Sequence, residues 1–540
     1  MESATITNLA STWSALRNPT FRKLWLGSLV SGTCVAAHDT AATWVMNTLT
    51  ASPFLISLMS TVASLPFLIF TLPAGALADM VDRKKMLIVM NIWLALAAGS
   101  LALLGSIHLL SSSLLLISVF LIGVGFAFEA PAWTAIVPEV VSNTELRSAS
   151  TLGGLQMNIS GILGPALGGI ALSFVGPTSV FAANAICFLA VIVVILQWKR
   201  PLPQTRRGLE NFFDSFLKAF RYIRYASGLQ VVVARNALFA LFISAIPALI
   251  PVVGLKSLHL NASQLGLLFT SQGIGSVAGA VIIIPWLRAR YSSNILIVLA
   301  SALVALVYVL MAFVRQPWIF FAVAAMAGVG WTLSASELWV AAQRAMPSWV
   351  RGRMSATVMM VSQGAMAIGG VIWGSAVTTV GPTYSLLMAA ALLLVSLVLA
   401  GPLSIDFTGN LDLDPATVTP TSYKLCYTPK PSDGPVSISL EFTVERPRVR
   451  EFLNIMREVR LIHLRNGVYR WQLHEDLTRP DTYRLEMTVS SWNEHLMQAE
   501  RMTKADNDLL ERAWSFHQGE VKPTERIYLS MNKDMRLPAS

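Results

Sequence analysis

The chain has 540 residues, of which 54% are hydrophobic and only 13% are charged, and its formal net charge is +10. Soluble globular domains carry about 25% charged residues, so this composition excludes an ordinary soluble protein over the whole length. Apolar runs of about 20 residues, the length that spans a bilayer, recur up to Leu403. We therefore predict a membrane-spanning body followed by a soluble tail.

The N-terminus is not expected to be a cleaved signal peptide. Its first residues are polar, and the first apolar run is of full span length, with Arg17, Arg22 and Lys23 at its start. Hydropathy predicts about twelve spans in all. Their ranges are 22–47, 53–78, 86–107, 113–134, 149–175, 178–198, 229–255, 263–286, 293–313, 318–341, 354–380 and 384–402.

Basic residues are concentrated in alternate loops. These loops hold Arg83, Lys84, Lys85, Arg147, Lys199, Arg200, Arg206, Arg207, Arg288, Arg290, Arg344, Arg351 and Arg353, whereas the others hold only Lys256 and Arg315. Because positive loops stay in the cytoplasm, we expect both termini to be cytoplasmic. The same distribution explains the net charge without a nucleic-acid surface, which would cluster its basic residues on one soluble face.

The first dense charge cluster lies in a short hairpin between the second and third spans. Its sequence is Gly75-Ala-Leu-Ala-Asp79-Met-Val-Asp82-Arg83-Lys84-Lys85. A short turn that begins with glycine and ends in basic residues, between two spans of membrane length, is typical of a cytoplasmic transporter loop.

Ionisable residues inside spans are costly, so each is a functional candidate. Asp39 lies midway along the first predicted span, with His38 beside it and no basic neighbour within a helical turn. A carboxylate in low dielectric holds a proton more readily than one in water, so Asp39 can bind and release a proton near neutral pH. The alternatives are a hydrogen-bonded structural aspartate and, for His38, a simple hydrogen bond. Glu129 and its loose counterpart Glu337 are candidates for the pathway, for a gate or for interfacial structure.

Uncharged groups in the spans add candidates for the cavity and for helix packing. Gln156, Asn158 and Gln363 are the amides that we assign as possible cavity polar groups. The fifth span carries Gly161, Gly164, Pro165, Gly168 and Gly169, and small residues at this spacing let helices approach closely. Gly123-Val-Gly125 recurs as Gly328-Val-Gly330, which indicates two related six-helix halves.

The hairpin resembles the loop between the second and third helices of the major facilitator superfamily. Together with Gly164-Pro165-x-x-Gly168-Gly169, it is similar to the exporter branch that contains enterobactin exporters and macrolide efflux pumps. The resemblance covers residues 15–402. It implies an exporter driven by the proton gradient, in which Asp79 and Arg83 help to lock the two halves in the outward-facing state. Met80 and Asp82 depart from the usual basic residue and glycine of that motif.

Two soluble segments complete the chain. Residues 199–228 carry an apolar helical face, which fits either an amphipathic helix on the cytoplasmic leaflet or a helix packed under the bundle. Residues 403–435 are predicted to be a flexible linker. Residues 436–533 show the order βαββαβ of a ferredoxin-like domain.

The tail is similar to antibiotic-biosynthesis-monooxygenase-type domains around Ser490-Ser491-Trp492 and His495. The resemblance implies a dimeric domain, and Arg470, Trp471, His474 and His495 would supply parts of a catalytic pocket. Since Ala499 stands where a second histidine is frequent, a dimerisation or cargo-sensing module is favoured over an enzyme.

We thus expect a twelve-helix membrane protein in two halves, 15–198 and 229–402, with a small α+β domain. The predicted function is export of a small amphipathic compound, a drug or a siderophore, in exchange for protons at a bacterial inner membrane. A lysophospholipid flippase or facilitator and a transporter fused to a cargo-modifying enzyme are the alternatives. The predicted partners are protons, the small-molecule substrate, the bilayer and a second copy joined through the tail. No cofactor, metal or nucleic acid is expected, and Cys34, Cys187 and Cys426 are interpreted as packing residues.

Overall fold

The computed structural model describes residues 13–142, 144–198, 221–226, 228–347, 349–400, 412–416, 425, 427–518 and 523–530. These residues form two compact units. The helical unit comprises the described parts of 1–209, 233–340 and 356–404, and the mixed unit comprises those of 210–232, 341–355 and 405–540.

The helical unit is built from long helices that follow the predicted spans. In chain order the helices are α1 Pro19–Leu49, α2 Pro53–Met80, α3 Arg83–Ser106, α4 Ser112–Val140, α5 Leu146–Gln197, α6 Leu229–Ile243, α7 Ala245–Val252, α8 Ala262–Ala278, α9 Ile284–Arg288, α10 Ser293–Phe313, α11 Pro317–Arg344 and α12 Arg351–Ala400. Some of their ends, including the first residues of α6 and α12, belong to the mixed unit. We call α1–α5 the first helix group and α6–α12 the second.

Within the described residues, nine helical segments are long and apolar enough to cross a membrane. This number is lower than the twelve spans predicted. Helix α1 is 31 residues long but is not among the nine. Helices α5 and α12, of 52 and 50 residues, each contain two of the predicted spans.

Both of these long helices break at a glycine. Gly176 has a φ of 77° and Gly381 a φ of 82°, in the left-handed region that glycine adopts without a Cβ clash. A proline follows each glycine, and proline cannot continue the hydrogen-bonding of the preceding turn. The two breaks are separated by the same offset as the predicted repeat.

Local capping explains where several helices begin. The Asn18 side chain accepts hydrogen bonds from the backbone of Thr20 and Phe21, and Pro19 occupies the first helical turn of α1. Asp82, in the hairpin, accepts from the backbone N–H groups of Lys84 and Lys85 and so caps α3. Helix α8 begins with a capping box, in which Asn261 is the capping residue.

The first helix group is packed through small residues. A Cβ built on Gly164 would lie 2.5 Å from Ala36 Cβ, and one on Gly168 would lie 2.7 Å from Ala37 Cα. The Sγ atoms of Cys34 and Cys187, both free thiols, are 2.7 Å apart. Helix α1 therefore packs closely along both halves of α5, whereas Cys426 lies outside the described residues.

The mixed unit contains a four-stranded antiparallel sheet. Its strands are β1 Val436–Thr443, β2 Arg470–Glu475, β3 Thr482–Val489 and β4 Thr524–Leu529, in the spatial order β2-β3-β1-β4. The helices are α13 Val449–Asn466, α14 Trp492–Arg501 and α15 Lys504–Trp514. The second predicted tail helix is thus two helices, because the chain turns at Met502 and Thr503, and Thr503 caps α15.

Alternation along the strands places their apolar side chains on the face that packs against the helices. Val436, Ile438 and Phe442 of β1 are buried with Phe452 and Met456 of α13 in one core. The opposite face of the sheet carries polar side chains at the intervening positions.

Part of the segment predicted as a flexible linker is held by this domain. Ala416 N–H donates to Met502 O at 2.9 Å, and Lys504 N–H donates to Asp414 O at 3.0 Å. The Lys504 ammonium also contacts Asp412 Oδ2 at 3.0 Å. Residues 403–411, 417–424 and 426 of the linker, and residues 199–220 and 227 of the predicted amphipathic segment, lie outside the described residues.

Candidate functional site

The two helix groups meet through α5 and α8. Gly266 packs so closely on α5 that an added Cβ would lie 2.5 Å from Pro165 O and 2.8 Å from Gly169 Cα. The hydroxyl oxygens of Ser173 and Ser263 are 2.6 Å apart. Both serines lie close to loops that carry few basic residues, and we call this end of the helical unit the far end.

A second line of contact joins α2 to α12. Thr61 donates its hydroxyl to Ala367 O at 3.2 Å, and the space beside Gly370 and Gly374 is filled by Thr61 and Ser57. Lys256 Nζ also reaches across the groups to Thr50 O at 3.1 Å. These contacts extend from the middle of the unit to the far end.

The two helix groups separate towards the opposite end of the helical unit. The loops at that end carry Arg83, Arg147 and Arg288, and we call it the basic end. Gly161 lies on the face of α5 that meets Gly273 of α8. Met157, one turn nearer the basic end on the same face, is 73% exposed, and a Cβ on Gly154 would meet nothing within 4 Å. The face of α5 that packs on α8 in the middle of the unit is therefore uncovered at the basic end, and we interpret this uncovered face as one wall of a cleft between the two groups.

Asp39 belongs to the exposed surface of α1. Its side chain is exposed, and it lies about 160° around the helix from the mean direction of Leu26 and Val30, which are also exposed. The apolar pair suits a lipid-facing side, so Asp39 points away from lipid. It is closer to Leu49 than to Pro19, and so lies nearer the far end than the midway position predicted from the sequence.

His38 is in a different environment from its neighbour. Its side chain is only 1% exposed, and its ring packs on Phe181 with centroids 4.7 Å apart. Neither ring nitrogen has a hydrogen-bond partner within the part of the chain that the structure describes. The structure therefore places His38 in the packing between α1 and α5, whereas the side chain of Asp39 is exposed.

Glu129 has its own partner in the first helix group. Asn91 Nδ2, on α3, donates to Glu129 Oε1 at 3.0 Å, and Asn91 is 1% exposed. The neighbouring Phe128 ring lies 5.6 Å from that of Phe70. Asn91 was not singled out from the sequence, because an asparagine in an apolar run gives no sign of which helix it faces.

Two ion pairs fasten the helices at the basic end. Arg83 Nη1 contacts Glu139 Oε1 at 2.7 Å and donates to Ala135 O at 3.1 Å. Arg288 Nε contacts Glu337 Oε1, also at 2.7 Å. Each pair stays within one helix group, and Glu139 is a partner that sequence reasoning missed.

The other hairpin residues take several positions. Asp82 is the helix cap described above, which accounts for an aspartate where glycine is usual. The Lys84 ammonium donates to Trp198 O at 2.6 Å and so ties the hairpin to the end of α5. A Cβ on Gly75 would meet nothing within 4 Å. The Asp79 side chain lies outside what the structure describes, so its predicted role stays a prediction.

The two ion pairs differ in burial, which predicts different contributions to stability. Glu337 is 1% exposed, whereas Glu139 is 23% exposed. We expect Glu337→Gln to lower the free energy of unfolding by about 1.5–3 kcal/mol, the usual range for a hydrogen bond to a charged group. Glu139→Gln should cost less, since water can replace a partner there. Thermal unfolding of both purified variants measures the difference, and an equal or reversed order would contradict it.

The three amides of the predicted cavity set have separate positions. Gln156 Nε2 donates to Ser28 O at 3.0 Å and to Ser160 Oγ at 3.3 Å, so Gln156 joins α5 to α1. Asn158 and Gln363 are half-buried. Arg235, buried in α6 and hydrogen-bonded to Asn294 of α10 at 3.1 Å, is an intramembrane ionisable residue that the sequence analysis passed over.

The tail residues proposed for a catalytic pocket are not brought together. Trp471 packs with the core on the helix-covered face of the sheet, while Arg470 and His474 alternate with it and so lie on the other face. The His495 ring stacks near Trp492, with centroids 5.1 Å apart. The structure therefore does not assemble these four side chains into one pocket.

Comparison with known proteins shows which family the chain belongs to. A family model described as "Transmembrane secretion effector", of the major facilitator superfamily, matches residues 10–535. The chain belongs to this family. It is 24% identical over 283 residues to macrolide efflux protein A of Streptococcus pyogenes, covering 52% of this chain and 69% of that protein. It is 28% identical over 273 residues to enterobactin exporter EntS of Salmonella choleraesuis, covering 49% of this chain and 63% of that protein.

This family member therefore spans about two thirds of the length of these curated relatives. Among solved structures, the nucleoside transporter NupG matches with a TM-score of 0.58 at 12% identity, covering 71% of this chain and 98% of that one. A bacterial homologue of the human lysosomal transporter Spinster, inward-facing and unoccupied, matches with a TM-score of 0.56 at 13% identity, covering 73% and 97%. At these identities the likeness is one of fold.

The chain is thus a helical transporter of the major facilitator type with efflux proteins among its relatives. The family and the curated relatives are transporters, which favours transport over catalysis for the protein as a whole. It is a multi-pass membrane protein, which is consistent with a bacterial inner membrane.

Proposed function

We propose that this protein exports a small amphipathic compound across the bacterial inner membrane in exchange for protons, by alternating access. The observation that carries the proposal is the cleft, which is closed by the contacts at the far end and opens at the basic end. Basic loops favour the cytoplasm. The arrangement then corresponds to an inward-facing state, ready to take cargo from the cell.

The proposed topology has twelve spans and cytoplasmic termini. The breaks at Gly176 and Gly381 support dividing α5 and α12 into two spans each. Helix α1 supplies the remaining span, because its 31 residues exceed the length of about 20 residues that crosses a bilayer. Six spans on each side of the chain segment between α5 and α6 make the two halves that would rock around the cleft.

Asp39 is the proposed proton carrier. An exposed carboxylate that points away from lipid can exchange protons with water whenever the open cleft extends to it. It loses that contact when the far and basic ends exchange roles. Glu129 and Glu337 are bonded to Asn91 and Arg288, so they are assigned to helix contacts that can support the transition and not to the first proton site.

The soluble tail is proposed to be a ferredoxin-like module that dimerises or senses cargo. Its strand order and antiparallel register support this topology. A polar sheet face suits a second copy or another polar partner, whereas the division of Arg470, Trp471 and His474 between two faces does not favour catalysis.

Locking the far end tests the transport cycle. The Ser173 and Ser263 hydroxyl oxygens are close enough for a cysteine pair to form a disulfide in their place. In a background with Cys34, Cys187 and Cys426 replaced by serine, we expect oxidation of Ser173→Cys/Ser263→Cys to stop transport into proteoliposomes. Reduction should restore it, because the far end must open once in each cycle.

The controls are the two single-cysteine variants, which cannot form this bond and should be insensitive to oxidation. The cargoes to test are a macrolide, a catecholate siderophore and a lysophospholipid, each with an imposed pH gradient. Transport of the double variant that continues while the disulfide is intact would contradict alternating access. If only lysophospholipid were moved, and without a gradient, the protein would be a flippase and not the proposed exporter.

A further inference from the structure

The mixed unit joins the C-terminal domain to two short chain segments that adjoin membrane helices. One segment, residues 221–226, is followed by the start of α6 at Leu229. The other, around Trp349, connects the end of α11 to the start of α12. We call the residues where they meet the domain, Arg221, Tyr222, Trp349, Glu494 and Arg501, the joint.

A buried carboxylate lies at the centre of the joint. Glu494 is 6% exposed, and Arg501, at 7%, contacts its two oxygens at 2.6 and 3.2 Å. Arg221 reaches the same carboxylate from outside the domain, with Nη2 at 3.3 Å from Oε1. Glu494 therefore holds one cation of its own domain and one from the segment before α6.

Aromatic rings make the second half of the contact. Tyr222 is 1% exposed and meets the Trp349 ring edge-on, with centroids 5.7 Å apart. The Arg465 guanidinium lies 5.3 Å from the Tyr222 ring and that of Arg501 lies 5.4 Å from the Trp349 ring. Arg465 is itself fixed by Asp506, at 2.5 Å. Each domain arginine thus bonds an acid of the domain and faces an aromatic ring from a connecting segment.

The buried charges and aromatic rings of the joint make its opening unfavourable. Separating the segments from the domain would leave Glu494 short of one cation and would expose Tyr222 and the ring faces that the arginines cover. Buried charges that lose their partner are strongly disfavoured, and the aromatic area would return to water. The burial of Tyr222 and Glu494 is that of a protein interior and not of a transient surface contact.

Both segments adjoin helices of the second helix group. We infer that the C-terminal domain is permanently attached to the ends of α6, α11 and α12, and that the joint stays closed throughout the transport cycle. The domain then moves with these helix ends. Whatever binds the domain, a ligand or a second copy, acts directly on the second half. This inference rests on the alternating access proposed above.

Cross-linking tests whether the joint has to open. In the cysteine-free background, Arg221→Cys/Glu494→Cys is joined by a short flexible bis-maleimide, and complete reaction is verified by mass. Transport in proteoliposomes, with the cargo that the wild type carries, is compared before and after. We expect cross-linked protein to transport at the wild-type rate, because the bond replaces a contact that never breaks. A stop in transport on cross-linking would overturn the inference.

Hydrogen exchange reports on the joint without cargo. Glu494→Lys places a third cation against Arg221 and Arg501, so the amides of 221–226 should lose their protection. The exposed Glu500→Lys on the same helix is the matched control and should leave them unchanged. Equal exchange in both variants would overturn the inference. Failure of the wild type to transport any of the three cargoes would count against the proposed function instead, and the exchange result would still stand.

Discussion

Asp39→Asn is expected to abolish transport driven by a proton gradient while leaving the protein folded in the membrane. Asparagine has nearly the same shape as aspartate but cannot take up or release a proton near neutral pH. The side chain is exposed on the side of α1 away from Leu26 and Val30, so little packing is lost. The measurement is substrate-driven proton movement in proteoliposomes, with wild type and variant at equal density.

Exchange of labelled for unlabelled cargo, which needs no net proton movement, should persist in the Asp39→Asn protein. Asp508→Asn, at an exposed site in the C-terminal domain, is the matched control and should couple normally. Glu129→Gln separates the two candidate carboxylates. If it removes coupling and Asp39→Asn does not, the proton site lies at the Asn91–Glu129 contact and the assignment to Asp39 is wrong.

The positions of most membrane helices could be predicted from the sequence because the bilayer imposes a simple requirement. A span needs about 20 apolar residues, and its backbone satisfies its own hydrogen bonds, so an apolar run is enough to locate it. The first span departs from this pattern. Arg22, Lys23, His38 and Asp39 make α1 less apolar, so the candidate site residues His38 and Asp39 are among those that weaken its hydropathy signal.

Partners across the fold could not be predicted in the same way. The glycines of the fifth span indicated close packing, but the sequence did not say that Gly164 meets Ala36 while Gly169 meets Gly266. Those neighbours are set by which helix faces meet. For the same reason Asn91 and Glu139 were missed, since their acid and base partners are distant in sequence.

In the tail, alternation predicted the strands well because one face of the sheet has to be buried. The same alternation shows why the residues considered for a catalytic pocket do not lie together. Residues 470 and 471, or 471 and 474, are separated by an odd number of positions and so lie on opposite faces. A similarity of sequence around Trp492 suggested a pocket that the strand geometry of this domain does not assemble.

The contact between the two helix groups yields the second large expected effect, for Gly266→Ala. The added methyl group would lie 2.5 Å from Pro165 O and 2.8 Å from Gly169 Cα, so backbone has to move. Overpacking of this kind costs about 1–3 kcal/mol. The cost falls on the state in which the far end is closed, so the equilibrium should shift towards the state open at the far end, by about 5- to 150-fold.

Met157→Cys, in the cysteine-free background, reports this shift. Met157 is 73% exposed in the cleft at the basic end, and a membrane-impermeant maleimide supplied from that side should label the cysteine rapidly. Gly266→Ala should slow the labelling by a factor of up to about 5 to 150, the size of the shift in the equilibrium, as the cleft spends less time open to that side. Gly161→Ala is the matched control, since its added methyl group would meet nothing within 4 Å. Equal labelling in the two alanine variants would show that the contact of Gly266 with Pro165 and Gly169 does not hold the far end closed, and the cleft would then be a fixed feature of the fold instead of one state of a cycle.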